Sequence, residues 1–191
     1  MRRKLLGVSD PFALLGLPRR PLVDQEALRE AYFQSARRAH PDAPGGSDAA
    51  FAEARAAFDT LRNPASRLEA LAGSKASPPP RPPENLFKTS ADAIQETRAA
   101  LASAGSSALE RALTAQHCNA ALARVGEALR RVTCEEDDCS AVLAQLDANW
   151  PQADADALAS LASRLRFIGR FRRELEECAF QLRQRLPASG Q

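Results

Sequence analysis

"ARRAHPDAPGG", residues 36–46, sets the reading of the first half of the chain. A basic helix end runs into His40, Pro41 and Asp42, then into Pro44, Gly45 and Gly46. Pro41 fixes its own φ and restricts His40 to extended backbone, so the helix before it stops there. Upstream, "DQEALREAYFQSARRAH" (24–40) offers Asp24 as an N-cap and repeats Leu28, Tyr32, Ser35, Ala36 and Ala39 at helical spacing. Downstream, "SDAAFAEARAAFDTLRNP" (47–64) starts at a Ser47 cap and places Phe51, Ala54, Phe58 and Leu61 on one face. Two apolar stripes joined by a short turn must pack on each other. The sequence therefore predicts an antiparallel helical hairpin whose tip presents His40 and Asp42, with Arg29, Arg37 and Arg38 off the buried stripe.

Working outward, "DPFALLGLP" (10–18) reads as a short helix capped by Asp10, begun by Pro11 and stopped by Gly16 and Pro18. "ASRLEALAG" (65–73) adds one or two turns after Pro64. "SPPPRPPE" (77–84) contains five prolines, which no helix can cross, and predicts an extended spacer. The expected organisation is a unit over 9–75, a Pro-rich linker over 76–84 and a second unit over 85–187.

The second unit also reads as helices. One is expected over 90–105, from a Ser90 cap to a Gly105 stop. Another covers 107–132 with Leu109, Leu113, Leu122, Val125, Leu129 and Val132 as its stripe, and a shorter one covers 140–151. Between these two, "CEEDDC" (134–139) reads as a connection with a thiol at each end. The last pattern, over 154–186, places Leu158, Leu161, Leu165, Ile168, Phe171, Leu175, Cys178 and Leu182 at alternating three- and four-residue steps, as in a bundle helix. Only one helix has this length and its neighbours are amphipathic, which favours an intramolecular bundle of about three helices, in a monomer, over a coiled-coil dimer. Arg164, Arg166, Arg170, Arg172 and Arg173 in "RLRFIGRFRREL" (164–175) read as its solvated face.

Composition agrees. The 191 residues are 45% hydrophobic but only 5% aromatic, and no run alternates like a strand, so the fold class is all-α. A net charge of +2 argues against nucleic acid as a partner. No apolar run spans a bilayer and the N-terminus lacks a secretory core, which implies a cytoplasmic protein without a membrane partner. Cys118, Cys134, Cys139 and Cys178 are then expected to be reduced thiols. The pair Cys134 and Cys139 has no second ligand pair nearby, so neither a metal nor a cofactor is expected. No Gly-rich phosphate loop occurs, and His40 is one of two histidines with no catalytic cluster around it, so the chain does not read as an enzyme.

A short helix, a basic helix, His-Pro-Asp, a third helix and "LRNPASRLEAL" (61–71) together resemble a J-domain over about 10–72. That family stimulates the ATPase of DnaK-type heat-shock chaperones. The resemblance implies that Asp42 engages an arginine of the ATPase, with His40 and Pro41 beside it, and that Arg29, Arg37 and Arg38 meet an acidic surface. Ser35 and Ala39 depart from the family's large apolar and aromatic residues, and Phe33 from a commonly basic one. More narrowly, "DPFALLGLP", "LRNPASRLEAL" and "RLRFIGRFRRELEE" (164–177) resemble runs of the HscB family of iron–sulfur co-chaperones. That resemblance implies a DnaK/HscA-type ATPase and an IscU-like scaffold as partners. The scaffold would be held by the helix after the linker, through Leu86, Phe87, Ile94 and Glu96.

Overall fold

The computed structural model describes residues 10–73, 84–103 and 107–186. The proline-rich stretch, Gly105 and the chain ends lie outside the described residues. Every regular element among the described residues is a helix: α1 (Pro11–Leu15), α2 (Gln25–Ala39), α3 (Asp48–Arg62), α4 (Pro64–Ala72), α5 (Glu84–Ala102), α6 (Ala108–Ala148) and α7 (Ala155–Arg185). The chain forms two compact units. One is Met1–Pro79 with Ala141–Ser163; the other is Pro80–Ser140 with Arg164–Gln191.

In the first unit the caps are those the local sequence offers. The Asp10 carboxylate accepts from Phe12 N–H, and Pro11 opens α1. Gly16 closes α1 in the left-handed region at φ 67°, where a side chain would be strained. Asp24 Oδ1 accepts from Glu26 N–H at 2.7 Å and Ala27 N–H at 3.1 Å, and Ser47 Oγ accepts from Ala50 N–H at 3.2 Å. Asn63 ends α3 and caps α4, its Oδ1 accepting from Ala65 and Ser66 N–H groups. The core includes Phe12, Leu15, Leu28, Ala54, Ala57, Leu61, Leu68 and Leu71, with Leu143, Leu158 and Leu161 from the Ala141–Ser163 segment. Tyr32 stacks on Phe58 with ring centroids 4.5 Å apart, joining α2 to α3. Ser35 is buried, its hydroxyl 3.5 Å from the Leu14 carbonyl.

In the second unit three helices bury stripes at steps of three and four, with one step of seven on α6. On α5 these are Leu86, Ser90, Ala93, Thr97 and Ala100; on α6, Cys118, Ala121, Val125, Ala128, Val132 and Cys139; on α7, Ile168, Phe171, Leu175, Cys178 and Leu182.

Four expectations are corrected. Ser90 is no cap: α5 begins at Glu84, and Ser90 lies inside it, fully buried, its hydroxyl without a hydrogen-bond partner. The expected helices at 107–132 and 140–151 are one helix of 41 residues, α6, and "CEEDDC" is part of it rather than a connection. Cys134 is exposed there and Cys139 buried. Four consecutive acids repel in isolation, but α7 supplies counter-charges. Arg164 donates to Glu135 at 2.5 Å, and Arg172 forks onto Glu136 while also reaching Thr133 at 3.1 Å. Arg164 and Arg172 therefore face α6 rather than forming a solvated face, and these pairs raise both guanidinium pKa values above the ordinary one. The fourth correction is the phase of the α6 stripe: Leu109 and Leu113 are exposed, at 70% and 45%.

Candidate functional site

The hairpin tip is built by backbone hydrogen bonds. Ser47 N–H donates to the Ala39 carbonyl at 3.1 Å, Ala43 N–H to the His40 carbonyl at 2.8 Å and Gly46 N–H to the Ala43 carbonyl at 2.9 Å. His40 takes the extended conformation (φ −57°, ψ 137°) that Pro41 demands. The turn then folds so tightly that a Cβ on Gly46 would lie 1.9 Å from the His40 carbonyl oxygen. Gly46→Ala should lower the urea midpoint by the equivalent of about 1–3 kcal/mol, the scale of local backbone strain. An unchanged midpoint would show that the loop opens freely.

On this frame His40 and Asp42 stand out. The His40 ring meets the Phe51 ring edge-on, with centroids 5.8 Å apart, which braces it. Its Nδ1 accepts the Asp42 N–H at 3.3 Å and lies 3.6 Å from the Asp42 carboxylate. The Asp42 side chain is 92% exposed. The tip thus offers an anionic fork with its backbone already ordered, suited to a bidentate cation on a partner. Arg29, Arg37 and Arg38 are exposed, but they do not form one face. Helical spacing places Arg37 about 80° and Arg38 about 180° around α2 from Arg29. Arg29 and Arg37 therefore share a ridge, and Arg38 is turned to the far flank.

Two residues that the sequence did not single out position the segment between α1 and α2. Arg67 is 3% exposed; it donates to the Pro21 and Leu61 carbonyls, each at 2.7 Å. Asp147 accepts from Arg20 at 2.6 Å and from Leu22 N–H at 3.0 Å. Burial lowers the Arg67 pKa and the Asp147 carboxylate opposes that shift. An arginine on an amphipathic helix carries no local sign that it is buried, so neither residue was legible.

The structure separates the expected scaffold-binding residues on α5. Leu86 is 2% exposed and belongs to the core, because it starts the buried stripe, so it cannot serve as a surface contact. Phe87 is 52% exposed and meets Phe171 edge-on, with centroids 6.1 Å apart. Phe87 and Ile94 line a groove of about 390 Å³ between α5 and α7, together with Phe167, Arg98 and Arg170. Glu96 faces another way, lining a hollow with His117 and pairing with Arg124 at 3.8 Å. The run "RFIGR" (166–170) was the available signal for Phe167 and Arg170.

Burial pushes the Cys139 and Cys178 thiols up, away from the reactive thiolate. Among the described residues no group of three or more His, Cys, Asp or Glu could hold a metal ion. Among them, too, no helix is long and apolar enough to cross a membrane.

No protein-family model and no curated protein matches the chain. Among solved structures it is similar to the chaperone HscB from Vibrio cholerae, with a TM-score of 0.58 and 23% identity over 90% of this chain and 98% of that one. The chain therefore has an all-α, HscB-like fold.

Proposed function

We propose that this chain is a co-chaperone, not an enzyme, acting in the cytoplasm through two contacts. The His40-Pro41-Asp42 tip, with Arg29 and Arg37 on the adjoining ridge and Arg38 on the far flank, engages a DnaK/HscA-type heat-shock ATPase and stimulates it. The second unit delivers an IscU-like iron–sulfur scaffold to that ATPase, through Phe87 and Ile94, whereas Glu96 faces away from that groove. The observation that carries the reading is the almost fully exposed Asp42 carboxylate beside a braced His40, at the tip of a hairpin in an HscB-like fold. Single-turnover ATP hydrolysis by a DnaK-type chaperone from the same cell tests it. Acceleration on adding this chain supports the reading, and an unaltered rate overturns it.

The same ATPase role with a different client is the second reading, favoured by the cations Arg98 and Arg170 beside the apolar groove. Titrating an IscU-like scaffold by calorimetry separates the two. Phe87→Ala should weaken scaffold binding at least about tenfold, as expected for an aromatic anchor. No binding by the unaltered chain at tens of micromolar would leave the second reading.

A further inference from the structure

We infer that Phe33 is an apolar anchor within the ATPase-binding ridge of α2, so that the partner presents an acidic surface interrupted by an apolar recess. The inference rests on the co-chaperone reading above. Phe33 is 64% exposed, more than any other large aromatic among the described residues. It has no part in the core, because the buried side of α2 is already supplied by Leu28, Tyr32 and Ser35. Its ring tilts against Tyr32 at 5.9 Å, and Tyr32 in turn stacks on Phe58. One side of the ring is therefore supported from within the hairpin, which limits the rotamer entropy lost on docking.

Isolated exposed phenylalanines are ordinary. The neighbours of this one set it apart. Arg29 and Arg37 are four residues before and after it, so the three side chains lie along one ridge, each about 5–6 Å from the next at Cβ. Both arginines are exposed. Glu26 and Glu30 flank Arg29, and Glu30 is three residues before Phe33, so the acid lies on the side of the ring away from the tip; Arg37 is within a turn of His40, so the positive end of the ridge is continuous with the tip. A rigid aromatic between two cations, next to an exposed carboxylate, matches the composition of binding hot spots. The charges steer approach, and the ring supplies contact that salt does not screen.

The test uses the full chain and single-turnover ATP hydrolysis by a DnaK-type chaperone from the same cell. Phe33→Ala should raise the concentration needed for half-maximal stimulation about tenfold without lowering the maximal rate. The ratio between variant and unaltered chain should persist at 0.5 M salt (roughly a 4 Å Debye length), where the arginines are screened and both proteins bind more weakly. Phe33→Lys should not recover the affinity. Asp42→Asn, run alongside, separates the role of the tip from that of Phe33. If the unaltered chain gives no stimulation, both readings are overturned. If Asp42→Asn abolishes stimulation while Phe33→Ala keeps the same half-maximal concentration, only the inference about Phe33 is overturned. Recovery of full affinity by Phe33→Lys also overturns it, since a charge would then suffice. A dimer in solution that Phe33→Ala converts to monomer overturns it in favour of self-association.

Discussion

Asp42→Asn should reduce stimulation of a DnaK-type ATPase to the basal rate while leaving the fold intact. The substitution keeps shape and volume and changes only charge and one acceptor. Asp42 is 92% exposed, and its own N–H, which donates to His40 Nδ1, is untouched. Nothing in the core depends on the carboxylate. In the complex the same carboxylate would meet a cation on the partner, and a charge-assisted, bidentate pair at an interface centre is worth roughly 2 kcal/mol or more. That corresponds to at least about thirtyfold in affinity, by the rule that 1.4 kcal/mol is tenfold. Single-turnover hydrolysis across a concentration series measures it, with circular dichroism and the urea midpoint as controls. Equal stimulation by both proteins would sink the assignment of the tip as the ATPase contact.

Arg67→Met should destabilise the protein by about 2–4 kcal/mol, because two buried carbonyls lose their donor and each unsatisfied buried group costs about 1–3 kcal/mol. Methionine retains most of the stem packing, so the loss reports the guanidinium rather than a cavity. One effect opposes this: a buried charge is itself costly, and replacing a buried ion pair by apolar groups is often neutral. Here the Pro21 and Leu61 carbonyls remain in place and cannot follow the charge out, which makes the cost the larger effect. For a chain of this size the thermal midpoint should fall by on the order of 10 °C. Asp147→Asn provides the check on mechanism. It should cost less in the Arg67→Met background than in the unaltered protein, because the carboxylate then has one cation fewer to balance. An unchanged thermal midpoint for Arg67→Met would show that the carbonyls find other donors.

Much of the first unit was written in short-range chemistry. Asp10, Asp24, Ser47 and Asn63 cap the helices that begin beside them. Pro41 dictates the His40 backbone from one residue away, and Gly46 is required by an oxygen six residues before it. Signals of this range survive in the sequence because both partners stand in the same few residues. The all-α class and the hairpin tip followed from them, and so did the exposure of Asp42.

What only the tertiary structure decided involves partners tens of residues apart. "CEEDDC" continues a helix because Arg164 and Arg172, about thirty residues later in the chain, neutralise Glu135 and Glu136. Ser90 has every local property of an N-cap, yet it is buried because Leu86 extends the stripe one turn upstream against α6 and α7. The same stripe removed Leu86 from the expected scaffold surface and left Phe87, one position on, exposed. A helix rotates by about 100° per residue, so a single step moves a side chain from core to solvent. Periodicity shows that a helix has an apolar side; where several phases compete, as Leu109 and Leu113 do with Cys118 and Ala121, the partner helix chooses among them. Arg67 is the limiting case: its acceptors lie 46 and 6 residues away, and only their convergence in space makes a buried arginine stable.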